Sequence, residues 1–90
     1  MEKKRIRFRL YGDVQGVGLR FRASHAAGAL GVTGYVRNEP DDSVTLEVQG
    51  TEEEIDAMFM FIENSRFIRI TDMRREELPL DPSEGYFHVR

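Results

Sequence analysis

Between Arg5 and Tyr11, apolar residues alternate with arginines. Ile6, Phe8 and Leu10 fall on one side of an extended chain, and Arg5, Arg7 and Arg9 on the other. A period of two predicts a half-buried strand. After Gly18 the period lengthens. Leu19, Ala23, Ala26, Ala27 and Leu30 form the stripe of an amphipathic helix, and Gly31 supplies its stop. Thr33–Asn38 and Ser43–Gln49 are strand-like runs on either side of Glu39-Pro40-Asp41-Asp42, which has the composition of a hairpin turn. In the second run Val44, Leu46 and Val48 point inward and Thr45, Glu47 and Gln49 outward. Thr51-Glu52-Glu53-Glu54 has capping-box form, and Ile55, Met58, Phe59 and Ile62 then line one face of a second helix. Phe67–Arg75 is expected as a fourth strand, in which Ile68 and Ile70 alternate and Asp72 interrupts the series. A proline-containing link, Leu78–Gly85, leads to a short last strand over Tyr86–Val89.

This order is β-α-β-β-α-β with an added terminal strand. One apolar sheet face and two amphipathic helices predict an α+β fold, a two-layer sandwich of ferredoxin-like type with an antiparallel sheet. A right-handed crossover between the first two strands would bring the glycine-rich turn after the first strand and Asn38 at the end of the second to the same end of the sheet.

Ninety residues fit one domain over 1–90, burying roughly 60–65% of the surface of the unfolded chain. Hydrophobic residues at 40% and charged residues at 32% exclude a disordered chain of low hydrophobicity. With no cysteine there is neither a disulfide framework nor a thiolate metal site. No apolar run approaches the ~20 residues of a membrane span, and the charged N-terminus has no apolar stretch behind it, so a cytoplasmic location without membrane association is expected. A net charge of −3 argues against general nucleic-acid binding, although Lys3, Lys4, Arg5, Arg7 and Arg9 crowd one end.

The densest chemistry lies in Gly12-Asp13-Val14-Gln15-Gly16-Val17-Gly18-Leu19-Arg20. Three glycines between a strand and a helix let the backbone turn tightly and present several N–H groups on one concave side, next to the positive end of a helix dipole. Arg20 adds a guanidinium that grips two oxygens at once. The combination suits a small tetrahedral anion such as phosphate. It matches neither the nucleotide-binding loop, which needs Lys followed by Ser or Thr, nor the dinucleotide fingerprint.

Other catalytic chemistry is sparse. His25 and His88 have no neighbour that reads as a triad partner, and Ser24 and Thr33 lack a base. Glu52–Glu54 suit a helix N-terminus. Asp41 and Asp42 suit a turn, although with Glu39 they form the one carboxylate group that could hold Mg²⁺. That sparseness suits phosphoryl transfer to water from a leaving group that departs without a proton from a general acid. Such a reaction mainly needs the phosphate held and a water aligned.

Val14-Gln15-Gly16-Val17-x-x-Arg20 together with Gly34-Tyr35-Val36-Arg37-Asn38 resembles the acylphosphatase family, specifically so from Arg5 to Val48 and more loosely beyond. The resemblance implies a free-standing, monomeric enzyme. It would hydrolyse acyl phosphates to carboxylate and inorganic phosphate without metal or cofactor. Arg20 falls on the family's phosphate-binding arginine and Asn38 on its water-orienting asparagine. The backbone of Gln15, Gly16, Val17, Gly18 and Leu19 falls on its phosphate loop. Three positions depart from the family pattern. Leu19 replaces an aromatic, Asp42 stands where a hairpin glycine is usual, and Asn64-Ser65-Arg66 replaces a Gly-Pro. If Asp42 keeps the glycine-like positive φ, it bears a cost near 1 kcal/mol.

Two other functions compete. A catalytically idle anion-sensing or protein-interaction domain could retain the fold. An RNA-binding module of the same strand order could use the arginine face of the first strand, but it would need aromatics on the central strands. Thr45, Glu47 and Gln49 offer none.

Overall fold

The computed structural model describes residues 2–90. Its elements are β1 (Lys3–Asp13), α1 (Leu19–Leu30), β2 (Thr33–Asn38), β3 (Val44–Thr51), α2 (Glu52–Glu63), β4 (Arg69–Leu78) and β5 (Phe87–Val89). The strands form one sheet in the order β4-β1-β3-β2-β5. The alternation in β1 and β3 drives the layering. Ile6, Phe8 and Leu10 stand opposite Val48, Leu46 and Val44, and this face is buried against α1 and α2 through Leu19, Ala23, Ile55, Met58 and Ile62. Among the described residues, no helix is long and apolar enough to cross a membrane.

The second helix is capped as its sequence dictates. The Glu54 N–H donates to Thr51 Oγ1 at 3.1 Å, and the Thr51 N–H donates to Glu54 Oε1 at 2.8 Å. In the hairpin, Asp42 is the one non-glycine residue with positive φ among those described, at 73°. Its neighbour Asp41 makes the turn-capping bond, accepting from the Ser43 N–H at 3.1 Å. Asp42→Gly should therefore leave the fold unchanged or stabilise it by up to about 1 kcal/mol, with activity retained. A thermal melt showing a loss of more than about 1 kcal/mol would assign the Asp42 carboxylate a contact of its own.

The sheet is mixed, not purely antiparallel, because β5 pairs parallel to β2. The route of the chain requires this. β4 ends with Leu78 opposite Arg5, near the start of β1. The following link must then cross the sheet to reach its far edge, and it arrives level with Gly34 at the start of β2. A strand entering there can only run alongside β2 in the same direction.

That crossing also covers one end of the arginine face, burying Arg5 while the Arg7 and Arg9 side chains stay 47% and 36% exposed. The link lies over the outer side of the sheet and clasps Gln49: the Asp81 N–H donates to Gln49 Oε1 at 2.8 Å, and Gln49 Nε2 donates to the Asp81 carbonyl at 3.0 Å. Arg5, Glu47 and Gln49 are only 6%, 7% and 8% exposed. Arg5 pairs with Glu47 and Glu84, each at 2.7 Å, and Glu47 also accepts from Arg7 and from the Tyr35 hydroxyl. Burial pushes the Glu47 carboxyl up, but the bonds from Arg5 and Arg7 outweigh it and hold it below its ordinary value. Each buried charge thus has two ionic partners, Arg5 with Glu47 and Glu84, and Glu47 with Arg5 and Arg7. The outer face is thus a satisfied polar layer, with no aromatic platform on β3 for bases to stack on.

The fourth strand begins and ends later than its pattern suggests, at Arg69 and Leu78 instead of Phe67 and Arg75. Its register against β1 shifts between Tyr11 and Gly12: Tyr11 faces Asp72, and Gly12 faces Ile70. Thr71 is the extra residue of this bulge, so the inward positions change from Ile68 and Ile70 to Met73 and Arg75. The break in alternation at Asp72 is the sequence trace of that bulge. The last strand starts at Phe87, one residue later than expected.

Candidate active site

β1 and β2 both pair antiparallel with β3, so they run in the same direction and end at the same edge of the sheet. Asn38 stands opposite Val44, which stands opposite Leu10. Just past this row, β1 gives way to the loop that leads into α1. Asn38 has the parity of Val36, whose side chain is fully buried on the helix side of the sheet. Its amide therefore lies on the face from which α1 starts.

Val14 and Leu19, each 1% exposed, anchor the two ends of the loop in the core. Leu19 thus fills an interior position, which explains why an aliphatic residue serves there. Between the anchors, Gly16 and Gly18 have φ of 72° and 82°. Alternation of left-handed with right-handed backbone is the geometry by which a loop turns successive N–H groups to one side for an anion. A Cβ at either position would meet nothing within 4 Å, so these glycines are required for backbone angle and not for room.

The two helix starts make an informative contrast. The α2 N-terminus has a capping box and three glutamates in its first turn. The α1 N-terminus has Gly18 as N-cap, no side-chain cap bond and no acid in the first turn. Its free N–H groups and dipole have no internal counter-charge. Arg20 adds a cation at this same end, an arrangement that disfavours the empty helix by ~0.3–1 kcal/mol and favours an anion by a similar amount. Arg20 is exposed and takes part in none of the ion pairs among the described residues. Its neighbour Arg22 is occupied elsewhere, donating from Nη2 to the Phe61 carbonyl at 2.6 Å and the Asn64 carbonyl at 3.2 Å, where α2 ends.

Opposite the loop, Asn38 Oδ1 is the one buried side-chain polar atom among the described residues with no hydrogen-bond partner in the protein. Buried side-chain acceptors are otherwise satisfied among the described residues, so this orphan marks a position for a small hydrogen-bonding molecule. The nearby acids are occupied. Glu39 accepts from Thr45 and Arg37, which lower its pKa against the effect of burial. The Asp41 carboxyl is lowered to about 2 by bonds from the Ser43 hydroxyl and N–H and by Arg9. No group of three or more His, Cys, Asp or Glu converges among the described residues. His25 stacks between Phe21 and Phe61 on the helix layer, and His88 lies against Tyr86 on the edge strand.

Sequence pattern brought the loop, Arg20 and Asn38 to one end of the sheet, and the structure places them there. What pattern missed is the side chain of Gln15, which donates from Nε2 to the carbonyls of Glu39 at 2.8 Å and Ser43 at 2.9 Å. No periodicity signals such a bond, because it joins a loop to a turn.

Comparison with known proteins agrees with this geometry. The acylphosphatase family model matches residues 6–89. An acylphosphatase of Oceanobacillus iheyensis is 37% identical over 89 residues, covering 97% of this chain and 98% of the relative. An acylphosphatase of Petrotoga mobilis is 40% identical over 85 residues, covering 92% and 93%. Among solved structures, the acylphosphatase from Bacillus subtilis superposes with a TM-score of 0.85 at 26% identity, covering 97% of this chain and 98% of that one.

Proposed function

This chain belongs to the acylphosphatase family and is an acyl phosphate hydrolase, and we propose that it holds the phosphate in the N–H cradle of residues 15–19 with Arg20 and aims the attacking water with Asn38. The observation that carries the proposal is the orphaned, buried Oδ1 of Asn38 at the sheet end where α1 begins uncapped.

In this arrangement the cradle and the first turn of α1 neutralise the phosphoryl oxygens, and Arg20 grips two of them. Asn38 Oδ1 accepts a hydrogen bond from water and directs its lone pair at phosphorus, in line with the acyl oxygen. The new bond forms between the water oxygen and phosphorus. The phosphorus–acyl oxygen bond breaks, and its electron pair leaves on the carboxylate. The water proton passes to a phosphoryl oxygen. A carboxylate whose acid has a pKa near 4 to 5, like Asp and Glu, needs no proton to depart, so neither a general acid nor a metal is required. Every group in this scheme comes from one chain, so the proposed reaction on small acyl phosphates needs no second copy.

The test is steady-state hydrolysis of benzoyl phosphate by the purified chain with chelator present. Inorganic phosphate should inhibit competitively and raise the melting temperature, by an amount corresponding to ~2.7 kcal/mol at 100 times its dissociation constant. Chloride at matched ionic strength should not. An anion-binding domain without activity would show the melting shift and no turnover.

A further inference from the structure

Resting on the function proposed above, we infer that the side chain of Gln15 is a positioning residue, which fixes the distance between the phosphate cradle and the water-directing amide of Asn38. The β2–β3 turn is closed by two backbone bonds. The Glu39 N–H donates to the Ser43 carbonyl at 2.8 Å, and the Asp42 N–H donates to the Glu39 carbonyl at 3.2 Å. Gln15 Nε2 gives its two protons to those same two carbonyls. Each oxygen has a second lone pair for the purpose. One amide thus clamps the phosphate loop onto the base of the turn that directly follows Asn38.

Asn38 makes no side-chain hydrogen bond of its own through Oδ1, so its placement relative to the loop depends on the backbone on either side. On the β2 side that backbone is held by pairing with β3. On the turn side the Gln15 clamp is the side-chain link to the loop. The loop does not depend on the clamp for its own shape, because Val14 and Leu19 bury both its ends in the core. Loss of the clamp should loosen the water relative to phosphorus while leaving phosphate binding in place. A displacement near 1 Å in such a geometry costs on the order of a hundredfold in rate.

The experiment compares kcat for benzoyl phosphate with the dissociation constant of inorganic phosphate. Gln15→Met keeps the length without donors, and Gln15→Glu keeps the shape but presents a carboxylate to the two carbonyls. In both variants kcat should fall about tenfold or more, with phosphate affinity within about threefold of the unaltered protein and the phosphate-dependent melting shift retained. Gln15→Asn keeps the donors one methylene short. It should also lose kcat, and it carries the test if either longer variant fails to fold. In an Asn38→Ala background, Gln15→Met should add less than about twofold, since residues acting through one another are not additive. A kcat within about twofold of the unaltered protein would overturn the inference. So would an equal loss of phosphate affinity, or a full further loss in the Asn38→Ala background. Retained kcat in Asn38→Ala alone would instead show that the underlying water-alignment scheme has failed.

Discussion

Arg20→Ala is expected to lower kcat/KM for an acyl phosphate by about 3 kcal/mol or more, roughly a hundredfold at least, the range measured for single electrostatic donors at developing charge. The expectation follows from position. Arg20 is exposed at the uncapped, positive end of α1, outside every ion pair that occupies Arg5, Arg7, Arg9 and Arg37. Removing it should relieve repulsion with the helix dipole, so the unliganded variant should melt no lower than the unaltered protein. Arg20→Lys should restore little, because an ammonium cannot make the two-pronged contact. The variant should also lose the rise in melting temperature caused by phosphate. Turnover within threefold of the unaltered protein would remove Arg20 from the site.

Asn38→Ala should produce a different kinetic profile. The cradle and Arg20 remain, so inhibition by inorganic phosphate should be nearly unchanged, while kcat collapses by on the order of a hundredfold. Stability should hold or improve, because truncation removes a buried acceptor that has no protein partner. Equal losses of kcat and phosphate affinity would mean that Asn38 supports the loop instead of aiming water.

Most of the fold was legible because local rules agreed with one another. The two-residue period of β1, the Thr51–Glu54 box and the apolar face of α2 each had one structural solution, and the positive φ of Asp42 matches the glycine that the family resemblance places there. The candidate site was suggested by glycines and an arginine at a strand-to-helix turn, which suit an anion, and the roles proposed for Arg20 and Asn38 rest on the family resemblance. What pattern could not show depends on where a later segment goes. Arg5, Glu47 and Gln49 look like a solvated face when β1 and β3 are taken alone. Residues 79–86 cross that end of the sheet and bond to Arg5 and Gln49, and the crossing makes β5 parallel to β2. The bulge at Thr71 left a break in alternation at Asp72 as its trace, which by itself does not say which residues of β4 then face inward. The Gln15 clamp joins side chain to backbone across separate elements, and no local rule records such a bond.

Leaving-group dependence tests the account most directly. Benzoyl phosphate and an alkyl phosphate present the same phosphate to the cradle, but an alkoxide leaves poorly unless an acid protonates it. With chelator present, the chain should hydrolyse benzoyl phosphate with saturation and leave the alkyl phosphate essentially untouched, and His25→Ala and His88→Ala should change neither result. Comparable hydrolysis of both substrates would contradict the scheme by requiring a general acid. Loss of benzoyl phosphate hydrolysis in chelator would contradict it by requiring a metal, with Glu39, Asp41 and Asp42 then the carboxylates to examine.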